Sequence, residues 1–244
     1  GFSYRPAERG MQVLKVADMW AKLMTENLGY PRFAAHGGDI GAGVTSRLGY
    51  AHAQSMTGIH LTSITRPTPY LGAGSEPLTA AEQALVDQRE RWQQAEGAYA
   101  HMHGTKPQTL SYGLNDSPAA LAAWIVEKYR TWSDCGGDVE KSYTKDELLT
   151  IVTIYWVTQT ISSSTRMYFE NQKNLWAMEK DQKVPAPAGM AMFPQEISKP
   201  PREWGERSYD VRRWTEMHSG GHFAALEEPQ LLAEEVRAFF RDFR

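Results

Sequence analysis

The chain contains a single cysteine, Cys135, among its 244 residues. One cysteine cannot form an internal disulfide, so the sequence excludes a disulfide-stabilised framework and is typical of a reducing compartment. No apolar run approaches the roughly 20 residues of a membrane span, and no signal peptide is present. We therefore expect a cytoplasmic protein, with the reservation that a segment preceding these residues could carry a signal or an anchor.

An excess of charge of one sign is also lacking. The formal net charge is −3 and no basic stripe is present, so we do not expect a nucleic-acid partner. No cluster of histidine and cysteine indicates a metal, and we expect no organic cofactor. The glycine-rich segment at 37–43 lacks the Gly-Lys-Ser or Gly-Lys-Thr of a P-loop, and Ser46 stands where a dinucleotide fingerprint needs its third glycine.

What the chain does contain is a strand-turn-helix pattern around a carboxylate. Residues 33–43 read Phe-Ala-Ala-His-Gly-Gly-Asp-Ile-Gly-Ala-Gly, and Gly37 and Gly41 stand two residues before and after Asp39. This is the spacing of a nucleophile elbow, whose tight turn needs small residues. An aspartate nucleophile predicts covalent catalysis through an alkyl ester, and hence a hydrolase that acts on an electrophilic carbon. A glycine-rich turn of no catalytic role is the alternative for so short a motif.

The far end of the chain supplies a candidate base. In hydrolases of this type the histidine comes last in sequence, on a loop after the final strand. His222 has that placement, after Gly220 and Gly221 and before a terminal helix that we expect to begin at Pro229.

The acid that orients this histidine should follow the preceding strand. Glu196 follows a buried strand predicted at 188–193, so we choose Glu196. Other carboxylates are less suitable because they lie in a helix-connecting loop or too close to His222 in sequence: Asp134, Asp138, Glu227 and Glu228.

Further motifs occur in the order in which one enzyme family carries them. They are Thr-Lys-Pro-Gln-Thr at 105–109, Leu-Asn-Asp-Ser-Pro at 114–118, Arg-Met-Tyr-Phe-Glu-Asn at 166–171, Phe-Pro-Gln-Glu at 193–196, Gly-Gly-His-Phe-Ala-Ala at 220–225 and Glu-Glu-Pro at 227–229. Together with the elbow, they make the chain resemble an epoxide hydrolase of the α/β-hydrolase fold, of the microsomal-type branch. The resemblance implies a small-molecule epoxide as substrate, with Asp39 as nucleophile, Glu196 as acid and His222 as base.

The resemblance also implies two lid tyrosines that hold the epoxide oxygen. By motif position these are Tyr99, ahead of the Thr-Lys-Pro segment, and Tyr168. A phenol has a pKa of about 10, so it stays protonated at neutral pH and can donate to a developing alkoxide. The backbone N–H of Ile40 is the expected oxyanion donor during ester hydrolysis, in which a neutral His222 removes a proton from water.

One departure from the family concerns the start of the chain. The family's His-Gly-x-Pro loop, which supplies part of the oxyanion hole, has no counterpart, and Gly1 to Tyr4 resembles an internal Gly-x-Gly-Phe-Ser turn cut at its second glycine. We therefore expect the C-terminal part of a longer enzyme, with an open sheet edge beside the elbow strand. The N-terminal portion of the same fold, on this or a separate chain, or a second copy of this chain would cover that edge.

Two alternatives stay open. A haloalkane dehalogenase shares the aspartate nucleophile, but usually has a tryptophan beside it, where this chain has Ile40. The other is a non-catalytic fragment that needs its missing N-terminal portion.

The predicted architecture is α/β, with a mostly parallel sheet flanked by helices and a helical lid inserted between strands. We assign 1–63 and 186–244 to the hydrolase core and 64–185 to the lid. In the lid we predict helices at 79–96, 98–104, 118–132, 144–162 and 164–178. In the core we predict helices at 11–27, 41–49 and from 229, and strands at 32–36, 57–63, 188–193 and 213–217.

Overall fold

The structure of the chain, a computed structural model, describes residues 6–173 and 175–243. The likeness of Gly1 to Tyr4 to an internal turn therefore lies outside the described residues.

The chain divides into two compact units. The sheet unit comprises Val13–Glu90 and the described part of Trp176–Arg244, and the helical unit comprises the described parts of Gly1–Gln12 and Arg91–Leu175. These bounds differ from the predicted lid at 64–185, and the assignment of a core and a lid stays a prediction.

Four parallel strands form the sheet, in the order of the chain. They are β1 (Phe33–Gly37), β2 (Met56–Leu61), β3 (Val184–Met192) and β4 (Tyr209–Glu216). The α-helices of the described residues are α1 (Val13–Lys22), α2 (Asp39–Ala51), α3 (Ala80–Glu96), α4 (Ala98–Thr105), α5 (Pro107–Asp116), α6 (Pro118–Trp132), α7 (Lys145–Thr158), α8 (Ile161–Gln172), α9 (Arg202–Glu206), α10 (Ala224–Glu227) and α11 (Pro229–Phe240). Because α3 to α8 all fall between β2 and β3, the predicted α/β class with helices inserted between parallel strands is confirmed.

The two faces of the sheet are covered by different helices. Ile59 of β2 faces α2, where a Cβ on Gly49 would lie 3.1 Å from its Cδ1 atom. The next residue, His60, faces the other way, and its ring centroid lies 5.9 Å from that of Phe239 on α11. This alternation follows the two-residue period of a strand.

Strand β3 is buried on both faces. Ala188, Met190 and Met192 belong to the main core cluster, whereas Ala191 and Phe193 pack in a second cluster with Leu232 of α11. A continuous apolar run is what a central parallel strand requires. The strand begins at Val184, four residues before the predicted start, where it pairs with Tyr209 of β4. Pro185 and Pro187 precede the hydrogen-bonded pairing with β2, which begins at Ile59↔Ala188. Proline has no N–H to donate to a neighbouring strand, so the two prolines prevented the prediction of this part of the strand from the sequence.

The helical unit has its own core. Leu114, Leu121, Val152 and Ile161 contribute one buried side chain each from α5, α6, α7 and α8. Local signals fix the helix starts: Oγ of Ser117 accepts from the N–H of Ala120 at 3.2 Å to cap α6.

Several boundaries differ from the predictions. Helices α5, α9 and α10 were not predicted, and the break predicted near 163 lies at Gln159, whose φ of 53° ends α7. The helix predicted at 164–178 ends at Gln172 instead, because Met178 donates its N–H to the carbonyl of Thr68 at 2.8 Å. No sequence-local signal marks that distant partner.

Candidate active site

Asp39 lies at the turn in which β1 passes into α2. Its φ of 49° is in the left-handed region, which residues with a side chain seldom adopt. Gly38 before it is extended, with φ −120° and ψ 166°. Backbone strain of this kind concentrates at functional sites, and here it presents a carboxylate that is 52% exposed.

The two glycines before Asp39 are required by close contacts. A Cβ on Gly37 would collide with the carbonyl group of Gly41, and a Cβ on Gly38 would lie 2.5 Å from Oγ1 of Thr62. A Cβ on Gly41 would meet nothing within 4 Å. The predicted need for small residues therefore applies to the first half of the turn, whereas Gly41 contributes only its backbone.

The backbone of Asp39 is anchored by residues that follow β2. Its N–H donates to Oγ of Ser63 at 2.9 Å, and its carbonyl accepts from Oγ1 of Thr65 at 3.2 Å. Sequence analysis did not select these residues. Their position just beyond the carboxyl end of a parallel strand was the available signal, since ligand sites of open α/β sheets lie there.

Glu196 and His222 form a hydrogen-bonded pair. Nδ1 of His222 lies 2.7 Å from Oε1 of Glu196, which also accepts from the N–H of Ile197 at 2.7 Å. Both side chains are buried, at 6% and 3% exposure. On its other side, Nε2 of His222 lies 3.5 Å from Oδ2 of Asp39. The structure thus brings all three predicted polar residues into one line.

Backbone pairing holds the two loops together. Gln195 and Gly221 form an isolated parallel bridge beyond the ends of β3 and β4, and the N–H of Gln195 donates to the carbonyl of Gly220 at 3.1 Å. Gly220 has a φ of 97°, and a Cβ there would lie 2.9 Å from the ring of Phe193. Glu196 and His222 are the next residues after the bridged pair, so the bridge sets their separation.

The charge state of His222 follows from its neighbours. Burial would lower its pKa, but hydrogen bonds and charge attraction from Asp39 and Glu196 outweigh burial and raise the pKa of His222 to about 10. His222 is therefore an imidazolium at neutral pH in the resting site. The neutral imidazole expected during ester hydrolysis belongs to a different state of the site, in which Asp39 is esterified.

Ile40 is the second residue of α2. The first N–H groups of a helix have no carbonyl of that helix to pair with, and the helix dipole favours negative charge there. Its N–H thus belongs to a set of donors suited to an oxyanion beside Asp39.

The competing carboxylates have structural contacts. Asp138 accepts from the N–H of Glu140 at 3.2 Å, at the start of a short 3₁₀ turn, and Glu227 accepts from the N–H of Phe223 at 3.0 Å. Asp134 lies in the same loop of the helical unit as Asp138, and Glu228 directly precedes α11.

Tyr99 and Tyr168 lie together in the helical unit, on α4 and α8. Their ring centroids are 5.9 Å apart, with an angle of 80° between the rings. Nζ of Lys128 lies 4.7 Å from the Tyr99 ring centroid, and His103 contacts both tyrosine rings. Sequence analysis did not select His103, because nothing in its local sequence distinguishes it from a core histidine.

Among residues 6–173 and 175–243, no three His, Cys, Asp or Glu side chains are grouped so as to hold a metal ion. Within the same residues, no helix has the length and apolar character needed to cross a membrane.

No protein-family model matches the chain, but individual proteins are similar to it in sequence. The chain is 38% identical over 248 residues to a Stigmatella aurantiaca protein that is provisionally named an epoxide hydrolase, covering 100% of this chain and 54% of that protein. It is 34% identical over 260 residues to epoxide hydrolase 1 of Sus scrofa, covering 98% of this chain and 57% of that protein. The chain thus spans slightly more than half the length of these relatives.

Solved structures agree with the sequence matches. The epoxide hydrolase of Aspergillus niger superposes with a TM-score of 0.81 at 30% identity, over 99% of this chain and 60% of that one. The juvenile hormone epoxide hydrolase of Bombyx mori superposes with a TM-score of 0.82 at 26% identity, over 98% and 61%.

Proposed function

We propose that this chain, which resembles epoxide hydrolases of the α/β-hydrolase fold in sequence and structure, adds water to an oxirane to give a vicinal diol, through an alkyl ester on Asp39. The observation that carries the proposal is the line from Asp39 through His222 to Glu196, with contacts of 3.5 Å and 2.7 Å. A nucleophile, a base and an orienting acid in hydrogen-bond reach are the geometry of covalent catalysis.

In the first step a carboxylate oxygen of Asp39 attacks an oxirane carbon. The carbon–oxygen bond of the ring breaks, and the ring oxygen becomes an alkoxide that takes a proton. We assign the donors to Tyr99 and Tyr168, whose rings lie edge to face with centroids 5.9 Å apart. The carboxylate becomes a neutral ester, so the negative charge leaves Asp39 and ends on the tyrosine that gave up its proton.

That loss of charge prepares the second step. With Asp39 esterified, one of the two carboxylates that raise the pKa of His222 is neutral, so the pKa of His222 falls. His222 gives up its proton to solvent, and the phenolate left by the first step takes up a proton, so that the phenol is restored. The neutral imidazole, still oriented by Glu196, can then act as the general base.

The second step hydrolyses the ester. His222 removes a proton from water, and the hydroxide oxygen attacks the carbonyl carbon of Asp39. The N–H of Ile40 donates to the oxyanion. Collapse breaks the ester bond, the remaining water proton goes to the departing alkoxide, and the imidazolium and carboxylate of the resting site are restored.

The finer partner assignments follow from the sheet and the helical insertion. β1 is paired with β2 alone in the described sheet, and its residues Ala34 and His36 are exposed. Unpaired strand edges invite another strand, so we propose that the N-terminal portion of the same fold covers β1 and supplies the second oxyanion donor. We also propose that residues 64–185 serve as the lid over the epoxide.

The test is a single turnover of the purified chain with an aryl epoxide in oxygen-18 water, read by mass spectrometry of the Asp39 peptide. Label in the Asp39 carboxylate, or an ester at Asp39, is the expected result, because the attacking water oxygen stays on the enzyme in the first turnover. Asp39→Ala should give neither. Asp134→Ala, which changes the loop carboxylate of the helical unit, serves as the matched control and should label normally. A folded wild-type chain with neither label nor ester overturns the proposal.

A further inference from the structure

Arg89 is a cation on α3 that is largely withdrawn from solvent. Burial lowers the pKa of its guanidinium to about 10, with no opposing attraction from a carboxylate of the described residues, so the group is charged but unpaired at neutral pH. Taking a charge out of water is costly unless hydrogen bonds or an ion pair offset the loss. The hydrogen bonds that Arg89 does form are therefore informative.

The two hydrogen bonds of Arg89 go to the two segments that carry the site in the sheet unit. Nη2 donates to the carbonyl of Ile64 at 3.3 Å, and Nε donates to Oγ of Ser198 at 2.9 Å. Ile64 lies in the segment after β2, and Ser198 lies in the segment between β3 and α9. Arg89 thus joins two segments that leave the sheet at the carboxyl ends of neighbouring parallel strands.

On the side of the nucleophile, the carbonyl that Arg89 binds lies between two residues that hold Asp39. Ser63 accepts the N–H of Asp39 at 2.9 Å, and Thr65 donates to its carbonyl at 3.2 Å. The φ of 49° at Asp39 is a strained conformation, which persists only where the surroundings determine it. The hydrogen bond from Arg89 to the intervening carbonyl fixes the segment that supplies both anchors.

On the side of the acid, Ser198 follows Glu196 by two residues. Between them, Ile197 donates its N–H to Oε1 of Glu196 at 2.7 Å, and the same oxygen lies 2.7 Å from Nδ1 of His222. A displacement of Ser198 would therefore move the backbone that orients the Glu196 carboxylate.

The rest of α3 holds Arg89 in place for this contact. Oε2 of Glu82 accepts from Nη2 of Arg207 at 2.7 Å, and Leu85 is 3% exposed in the main core cluster. Positions 82, 85 and 89 lie on one side of the helix. Cζ of Arg89 lies 5.1 Å from the ring centroid of Trp204, which belongs to the same core cluster. The guanidinium is thus fixed before it binds the two segments.

We propose that Arg89 is a positioning residue that fixes the distance between Asp39 and Glu196, and with it the two contacts of His222 between them. The inference deepens the proposed function and rests on it, because these carboxylates are the nucleophile and the acid assigned there. An unbranched apolar side chain could fill the space over Trp204 without the cost of a buried charge. A planar guanidinium can bind a carbonyl and a hydroxyl at once, and this property explains why a cation lies here.

The test is the pKa of His222 in the folded full chain, followed by NMR of the imidazole protons, with His222→Gln to assign the signal. Arg89→Met keeps an unbranched stem over Trp204 and removes both hydrogen bonds. The contact between Asp39 and His222 should lengthen, so the pKa of His222 should fall by about one pH unit from its value of about 10. Ester formation should slow by up to about 10²-fold, as expected for a misplaced nucleophile.

The direction of the shift separates position from charge and from stability. Removal of a nearby positive charge by itself raises the pKa of an imidazolium, and a loss of stability alone leaves the pKa of the folded form unchanged. Arg91→Met, at an exposed arginine two residues later on α3, is the matched control and should change neither the pKa of His222 nor the rate of ester formation. An unchanged or raised pKa of His222 in folded Arg89→Met overturns the inference.

If Arg89→Met does not fold, Ser198→Ala removes one of the two hydrogen bonds and leaves the guanidinium over Trp204. A smaller fall in the pKa of His222 is then expected, and an unchanged or raised value again overturns the inference. A lowered pKa in Arg89→Met, with neither label nor ester at Asp39 in the wild-type chain, would support the positioning role and refute the proposed hydrolase activity. Label at Asp39 with an unchanged pKa would do the reverse.

Discussion

The two units of the chain contain candidate site residues of different chemistry: charged groups in the sheet unit and aromatic rings in the helical unit. In the sheet unit, Asp39, His222 and Glu196 form a line of charged groups whose positions are set by backbone hydrogen bonds and a strand bridge. In the helical unit, Tyr99 and Tyr168 lie in an aromatic cluster with His103, and side-chain packing sets their positions. Under the proposed function the two sets have different tasks: the charged line would make and break the ester, and the aromatic cluster would supply the proton for the leaving oxygen.

The largest effect is expected for His222→Gln, which should slow ester hydrolysis and leave ester formation intact. Ester formation should continue, because Asp39 remains, whereas ester hydrolysis should fall by about 10³- to 10⁴-fold for loss of the general base. The measurement is accumulation of the Asp39 ester by mass spectrometry during turnover of an epoxide. His218→Gln, an exposed histidine four residues earlier, should accumulate no ester. Equal ester levels in the two variants would contradict the role of His222.

The complementary change is Tyr168→Phe or Tyr99→Phe in the helical unit. Each should slow ester formation by about 10²-fold, the lower range for a lost general acid, without affecting hydrolysis of an ester already formed. Rapid-quench measurement of the two phases separates these rates. If either substitution slowed both phases equally, the division between the units would not hold.

A smaller effect is expected for the backbone of the elbow. Gly37→Ala should destabilise the chain by about 1–3 kcal/mol, since its Cβ would collide with the carbonyl group of Gly41. Gly41→Ala, with open space around its Cβ, should stay within about 0.5 kcal/mol of the wild type. Denaturant unfolding of the pair tests the contrast, which would be lost if both glycines gave the same result.

The last prediction concerns pH. The pKa of His222 is raised to about 10 in the folded chain, so its contribution to stability is complete below its ordinary pKa of 6.5 and declines as the pH rises toward 10. The stability difference between wild type and His222→Gln should therefore shrink between pH 6.5 and pH 10. Denaturation midpoints at three pH values measure it, and a difference that grows with pH would contradict the charge assignment.

Local patterns in the sequence were sufficient for helix α6. Ser117 and Pro118 mark the start of α6, which begins and ends where predicted. Glycine spacing and chain order likewise placed Asp39, Glu196 and His222 in the positions that the structure brings together. Each of these predictions used residues close in sequence or a fixed order along the chain.

Features that depend on distant partners were not predictable in this way. Ser63 and Thr65, which follow β2, form hydrogen bonds with the backbone of Asp39, which follows β1. His103 contacts Trp124 and Tyr168, which belong to other helices. The proton on His222 at rest depends on distant partners in the same way. It results from two carboxylates that are distant in sequence: Glu196 lies 26 residues before His222, and Asp39 lies 183 residues before it.

The bridge between Gln195 and Gly221 has a consequence for recombination among homologues. Acid and base are spaced by backbone pairing between two adjacent loops, so a contiguous block from β3 through the loop of His222 carries its own geometry. A chimaera that exchanges this whole block should inherit a matched pair. A crossover point between the two loops would join halves with different ancestry, and each parental spacing would be lost even though both catalytic side chains were retained.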